Sequence, residues 1–138
     1  SRSWAASDVY KRQKQGSGDA LPEGEWQASI SPTPTLLFRY SAVTFNGHRI
    51  HYDYPYVTDT EGYSGLVVHG PLIATLSLRA FCRAHPDATL RRFAYRGVRP
   101  LIAPQPFVVG GRVTETGVAQ LWAGDAGGLA QTAQVHFE

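Results

Sequence analysis

The segment Phe45-Asn46-Gly47-His48-Arg49-Ile50-His51-Tyr52-Asp53 places a carboxamide, two imidazoles and a carboxylate within nine residues. Imidazole titrates nearest to neutral pH, so His51 or His48 could exchange a proton, and Asn46 could orient a water or a hydroxyl. Downstream, Leu66-Val67-Val68-His69-Gly70-Pro71-Leu72 opens an apolar run with a Gly-Pro step. A proline suits the first turn of a helix, whose N-terminus carries unpaired N–H groups and a partial positive charge. The Gly70 amide could therefore polarise a carbonyl and stabilise the oxyanion formed when the adjacent carbon loses a proton. A plainer reading stands beside this one: Asn46-Gly47 as a turn, His48 and Arg49 solvated, Ile50 and Tyr52 on an ordinary strand, and Gly70 merely permitting close packing.

Two further arrangements bear on chemistry. His48 and His51 are three residues apart, but no cysteine lies nearby and no third ligand is evident, so no metal is expected. Around Phe93-Ala94-Tyr95, strand periodicity puts Arg92 and Arg96 on the face of Ala94, and Arg91 and Arg99 on that of Phe93 and Tyr95. One or two of these arginines could bind the phosphates of a pantetheine carrier; the alternative is a solvated sheet face or ion pairs. There is no GxSxG elbow, phosphate loop or Ser/His/Asp order.

The elements that must position these groups can be read from pattern. Glu25 to Ile30 reads as a short strand, stopped by Ser31-Pro32-Thr33-Pro34. Thr35 is the expected N-cap of a short helix carrying Leu36, Leu37 and Tyr40, and Tyr54–Gly65, rich in Pro, Asp, Thr and Gly, is expected to be irregular. From Gly70 the apolar residues predict a helix of about four turns, buried nearly all round and stopped at His85-Pro86-Asp87. Cys82 then reads as a packing residue. Thr89–Val98, Pro106–Glu115, Val118–Gly124 and Leu129–Phe137 read as strands joined by Gly-Gly, Thr-Gly and Gly-Asp-Ala-Gly-Gly turns. One long helix followed by antiparallel strands predicts an α+β layer fold, with the sheet wrapped around the central helix, that is, a hot-dog fold. A single such unit leaves a sheet edge bare, so a second unit is expected, as a homodimer or as the other half of a longer chain.

Length and composition bound the function. A chain of 138 residues is one domain by length, and no apolar run approaches a bilayer span, so no membrane is expected as a partner. A net charge of +2 with 17% charged residues gives too little field to expect nucleic acid. A single cysteine makes no internal disulfide, which suits a reducing, cytoplasmic setting. Both lysines, Lys11 and Lys14, lie in Ser1–Gln15, and the rest of the chain carries arginine but no lysine. Residues 1–24 are therefore expected to be a disordered or foreign segment and linker, and 25–138 a single domain, the C-terminal half of a longer protein.

With these elements placed, three blocks carry a family resemblance: Leu37-Phe38-Arg39-Tyr40-Ser41-Ala42-Val43-Thr44 running into the Phe45–Asp53 window, then Gly62-Tyr63 with the Leu66–Leu72 segment, then Phe93–Leu101. Together they resemble the MaoC-like hydratase/dehydratase group of hot-dog enzymes, and within it the 3-hydroxyacyl-thioester dehydratases and mesaconyl-CoA hydratases. The resemblance implies a hydro-lyase that adds or removes water across the α,β bond of an acyl-CoA or acyl-carrier-protein thioester, without a cofactor. It implies His51 as the principal catalytic histidine, with Asn46 beside it, His48 as a second proton carrier, and Gly70 as the amide for the thioester oxygen. His69, Tyr40, Arg96 and Arg99 are the implied substrate contacts. In the wider group an aspartate precedes the catalytic histidine by five residues; here its place falls on or near Thr44, two residues further from His51, so the resemblance assigns no acid. A hot-dog thioesterase is the alternative enzyme, yet Leu72–Ala84 carries no carboxylate to activate water. A non-catalytic acyl-binding unit is the alternative from another class.

Overall fold

The computed structural model describes residues 20–138. Of the expected N-terminal segment, 1–19 therefore lie outside the described residues; 20–24 have no regular structure, although Leu21 abuts Gly124. The elements are β1 (Trp26–Ile30), α1 (Pro34–Val43), a 3-10 turn (Arg49–His51), α2 (Tyr54–Asp59), α3 (Gly70–Ala84), β2 (Leu90–Gly97), β3 (Phe107–Glu115), β4 (Val118–Asp125) and β5 (Gly128–Phe137). The strands form one antiparallel sheet in the order β1-β3-β4-β5-β2. α3 lies across β1, β3, β4 and β5. This is the expected α+β hot-dog arrangement.

Two apolar clusters hold the helix to the sheet. Leu72 and Ile73 at the start of α3 pack with Leu37 of α1, Val57 of α2, Val67, Val68, Phe107 and Val109. Phe81 near its end packs with Ala119, Leu121, Ala133 and Val135. At Gly111 the sheet has no room for a side chain: a β-carbon there would stand 2.4 Å from the Trp26 ring and 2.8 Å from the Gln120 carbonyl oxygen.

Three expectations are corrected. Thr33, not Thr35, caps α1, its side chain accepting the Leu36 N–H at 3.1 Å, because Pro34 occupies the first turn, where no N–H is needed. Tyr54–Asp59, expected to be irregular, is helical: Asp53 caps it through the Tyr56 N–H at 3.1 Å, and the Pro55 that suggested a loop sits in the first turn. α3 is amphipathic rather than buried all round. Leu72, Ile73, Ala74, Ser77 and Phe81 are buried, whereas Pro71, Thr75, Arg79, Cys82 and Arg83 are exposed. Cys82 therefore faces away from the sheet and is not a packing residue.

The C-terminal end of α1 fixes where the polar window begins. The Asn46 N–H bonds the Ser41 carbonyl at 2.8 Å and the Phe45 N–H bonds the Ala42 carbonyl at 3.3 Å, the paired bonds of a Schellman C-cap. Phe45 holds the left-handed position, with φ of 54°, where glycine is usual, and its ring is 95% exposed.

Candidate active site

The site is assembled where the 3-10 turn, the Leu66–Val68 segment and the N-terminus of α3 meet. Val67 pairs with Ile102, and the Val68 N–H bonds the Leu101 carbonyl at 2.9 Å, so the segment leading into α3 is anchored. The Val67 N–H bonds the Ile50 carbonyl at 2.9 Å, which ties the 3-10 turn to the same segment. The His51 ring returns the contact, Nδ1 standing 2.6 Å from the Val67 carbonyl oxygen. A carbonyl only accepts, so Nδ1 carries the proton and Nε2 keeps its lone pair, the arrangement of a base. His51 is buried, and burial is the main cause of a pKa lowered from its ordinary value; the Val67 bond opposes this, and the nearby His48 adds to it. Its ring is thus held neutral.

His69 lies flat against it. The ring centroids are 3.8 Å apart with the planes 18° from parallel, and the edge of Tyr40 meets His69 at 4.7 Å. His69 is only 1% exposed; its Nε2 is 2.8 Å from the Ser41 hydroxyl, and its Nδ1 has no hydrogen-bond partner. Burial, followed by the neighbouring His51, pushes its pKa down to about 4. The next residue, Gly70, begins α3, where backbone N–H groups find no acceptor within the helix. A β-carbon at Gly70 would meet nothing within 4 Å, so there is room for a side chain at this position. Gln131 steadies the turn by donating to the Gly70 carbonyl at 3.0 Å.

Residues 2–103 match the family model for hydroxyacyl-thioester dehydratase type 2. The chain belongs to that family. Within it, the chain is 52% identical over 79 residues to the mesaconyl-C(4)-CoA hydratase of Chloroflexus aurantiacus, covering 57% of this chain and 28% of that protein. It is 37% identical over 105 residues to the mitochondrial hydroxyacyl-thioester dehydratase type 2 of Schizosaccharomyces pombe, covering 75% of this chain and 33% of that one. The matched part of the chain spans about a third of the length of these relatives. The R-hydratase PhaJ1 of Pseudomonas aeruginosa superposes with a TM-score of 0.72 at 19% identity, over 85% of this chain and 81% of that one, a likeness of fold.

In this member of the dehydratase family, His51, His69 and Tyr40 come together, with Gly70 following His69 in the chain and the exposed His48 ring 5.9 Å from that of His51. Asn46 is half-buried and lines a cleft; its Oδ1 accepts the His48 N–H at 3.0 Å, so its carbonyl orders the turn. That cleft, of about 330 Å³, is lined by Phe38, Ser41, Ala42, Phe45, Asn46, Gly47 and Tyr52. Thr44 holds no acid place: its hydroxyl bonds the Tyr40 carbonyl at 2.6 Å.

The two arginines lie elsewhere. Arg96 is exposed and pairs with Thr132, on the sheet face opposite the α3-facing Ala133 and Val135. Arg99 is buried, its guanidinium bonded to the Asp125 carboxylate and, at 2.7 Å, to the Gly128 carbonyl, which occupies it in holding the β4–β5 turn. Among the described residues, no three His, Cys, Asp or Glu side chains converge as metal ligands. Ser41 and Gln131 were missed by sequence reasoning. Ser41 had a local signal, since it follows the apolar Leu37 by four residues and so shares its buried helix face; Gln131 had none.

Proposed function

We propose that this chain is the C-terminal hot-dog unit of a hydro-lyase that interconverts 3-hydroxyacyl and 2-enoyl thioesters. The observation that carries this reading is His51, a neutral base with its tautomer set by Val67, whose ring is stacked on His69, the residue that precedes Gly70 at the N-terminus of α3. In the dehydration direction, His51 Nε2 takes the α-proton while the Gly70 N–H and the positive end of α3 stabilise the enolate oxygen. The enolate electrons form the α,β double bond as the β-hydroxyl leaves. His48, exposed and beside His51, gives that hydroxyl its proton, so water departs and the enoyl thioester remains. Asn46 positions the leaving or attacking water. The thioester carbonyl supplies the electron sink, and no redox cofactor takes part.

The substrate is an acyl-CoA or an acyl carrier thioester. Tyr40 and His69 wall the reacting end, and neither arginine is assigned to the carrier's phosphates: Arg99 is committed to Asp125, and Arg96 lies on the sheet face opposite α3. A second hot-dog unit completes the assembly, as a homodimer or as the N-terminal half of a longer chain. β2 supports this, being an edge strand exposed along most of its length, as do the relatives, which are about twice as long as this chain. Related folds are known from two-chain complexes, ChsH1-ChsH2 and HadBC of Mycobacterium tuberculosis.

The test follows the enoyl-thioester ultraviolet band with wild type and His51→Gln. Wild type should consume the band on hydration, and the variant should be slower by about a hundredfold or more. Equal rates would remove His51 from the reaction, and release of free thiol would replace the hydratase reading with a thioesterase.

A further inference from the structure

His69 is an odd choice for a purely apolar niche. Its ring is buried, one nitrogen has no partner, and the other is satisfied only because Ser41, a lone hydroxyl on the buried face of α1, reaches it at 2.8 Å. A leucine or phenylalanine would fill the same volume without leaving a polar atom bare. Leucine has no flat face to present to a second ring, and phenylalanine has no ring nitrogen through which Ser41 could fix its rotation. His51 is held at its edge by the Val67 carbonyl and across its face by His69, with a centroid separation of 3.8 Å. His69 is also covalently next to Gly70. The ring that fixes the base and the amide that receives the oxyanion are thus on consecutive residues, and Ser41 locks the first of them to α1.

We propose that Ser41 and His69 are a positioning pair that holds the His51 ring at a set distance and rotation from the Gly70 amide, with His51 itself exchanging the proton. This rests on the hydro-lyase reading of His51 and adds the residues that keep its geometry. The pair acts through His51, so neither member is a catalytic residue. The titratable neighbours of the stack are Tyr40 from α1 and His48 beside the 3-10 turn. Arg49 of that turn is engaged with Asp53, Leu66–Val68 and the first turn of α3 bring no charged side chain, and β5 brings the neutral Gln131.

The test compares wild type with Ser41→Ala and Ser41→Thr, the second restoring a hydroxyl. In wild type, histidine 15N spectra should show His51 as one tautomer, protonated at Nδ1; in Ser41→Ala, the His51 and His69 signals should move to values averaged over both tautomers. Turnover of an enoyl thioester should fall about ten- to a hundredfold in kcat, with KM within about twofold, as expected when reacting groups are misplaced by a fraction of an ångström to an ångström. The acid limb of the kcat/KM profile should move to higher pH, because a released His51 ring is better solvated and is protonated sooner. Ser41→Thr should recover both. A Ser41→Ala protein that loses stability yet keeps the His51 tautomer and the acid limb would overturn the proposal. If wild type shows no hydration at all, the hydro-lyase reading fails, whereas the spectra still decide whether Ser41 and His69 fix His51.

Discussion

His69 should make this protein lose stability as pH falls from 6.5 to about 4. In the unfolded chain its imidazole takes a proton as pH falls through its ordinary 6.5, but in the folded protein it does so only near 4. Between those values the unfolded state binds the extra proton, so stability present at pH 7 drains away on acidification. A fall from 6.5 to about 4 corresponds to about 3 kcal/mol, a large share of the ~5–15 kcal/mol typical of a domain. His51, also lowered, acts in the same direction. Asp53 does not compete in this window: its pKa is depressed below 3.8, first by the Tyr56 N–H and then by Arg49, so its contribution is lost only as pH falls further. Urea unfolding followed by tryptophan fluorescence at pH 7, 6, 5 and 4 measures the effect, with His69→Gln as the variant that cannot titrate. The variant should start less stable at pH 7 and lose about 3 kcal/mol less than wild type on the way to pH 4. Parallel curves would refute a buried, neutral His69, and with it the stacked geometry on which the site is built.

Two other substitutions separate function from fold. Gly70→Ala adds a methyl group into open space at a helix start, so stability should hold or rise by up to about 1 kcal/mol. Turnover should nonetheless fall at least about tenfold if a thioester occupies that space, and unchanged steady-state kinetics would displace Gly70 from the site. Phe45→Gly relieves a left-handed residue at the cap of α1, and its exposed ring forfeits little packing, so the melting temperature should rise by the equivalent of about 1 kcal/mol; a decrease would show that the ring is held by contacts.

Much of the fold is legible along the chain because its signals are local. Gly-containing turns set the hairpins of β3, β4 and β5, and Pro71 marks the start of α3, each within the reach of a few residues. The same proline logic holds at α2, where Pro55 passes for a breaker because a first turn uses the same residue type as a loop. The amphipathic character of α3 is hidden because its outward face keeps small and apolar residues beside Arg79 and Arg83, so composition alone suggests burial.

The sequence by itself determined the residue types of the site, His51 and His48 in one window and His69-Gly70 at a helix start, because those depend on short spacings and on helix-terminus chemistry. Tertiary structure alone decided how they are joined. Ser41 meets His69 across 28 positions of chain, His51 reaches Val67 across 16, and Arg99 is withdrawn to Asp125 across 26. Such contacts arise where separate elements close on a shared core, and only there does burial turn two ordinary imidazoles into a neutral stack at the start of α3.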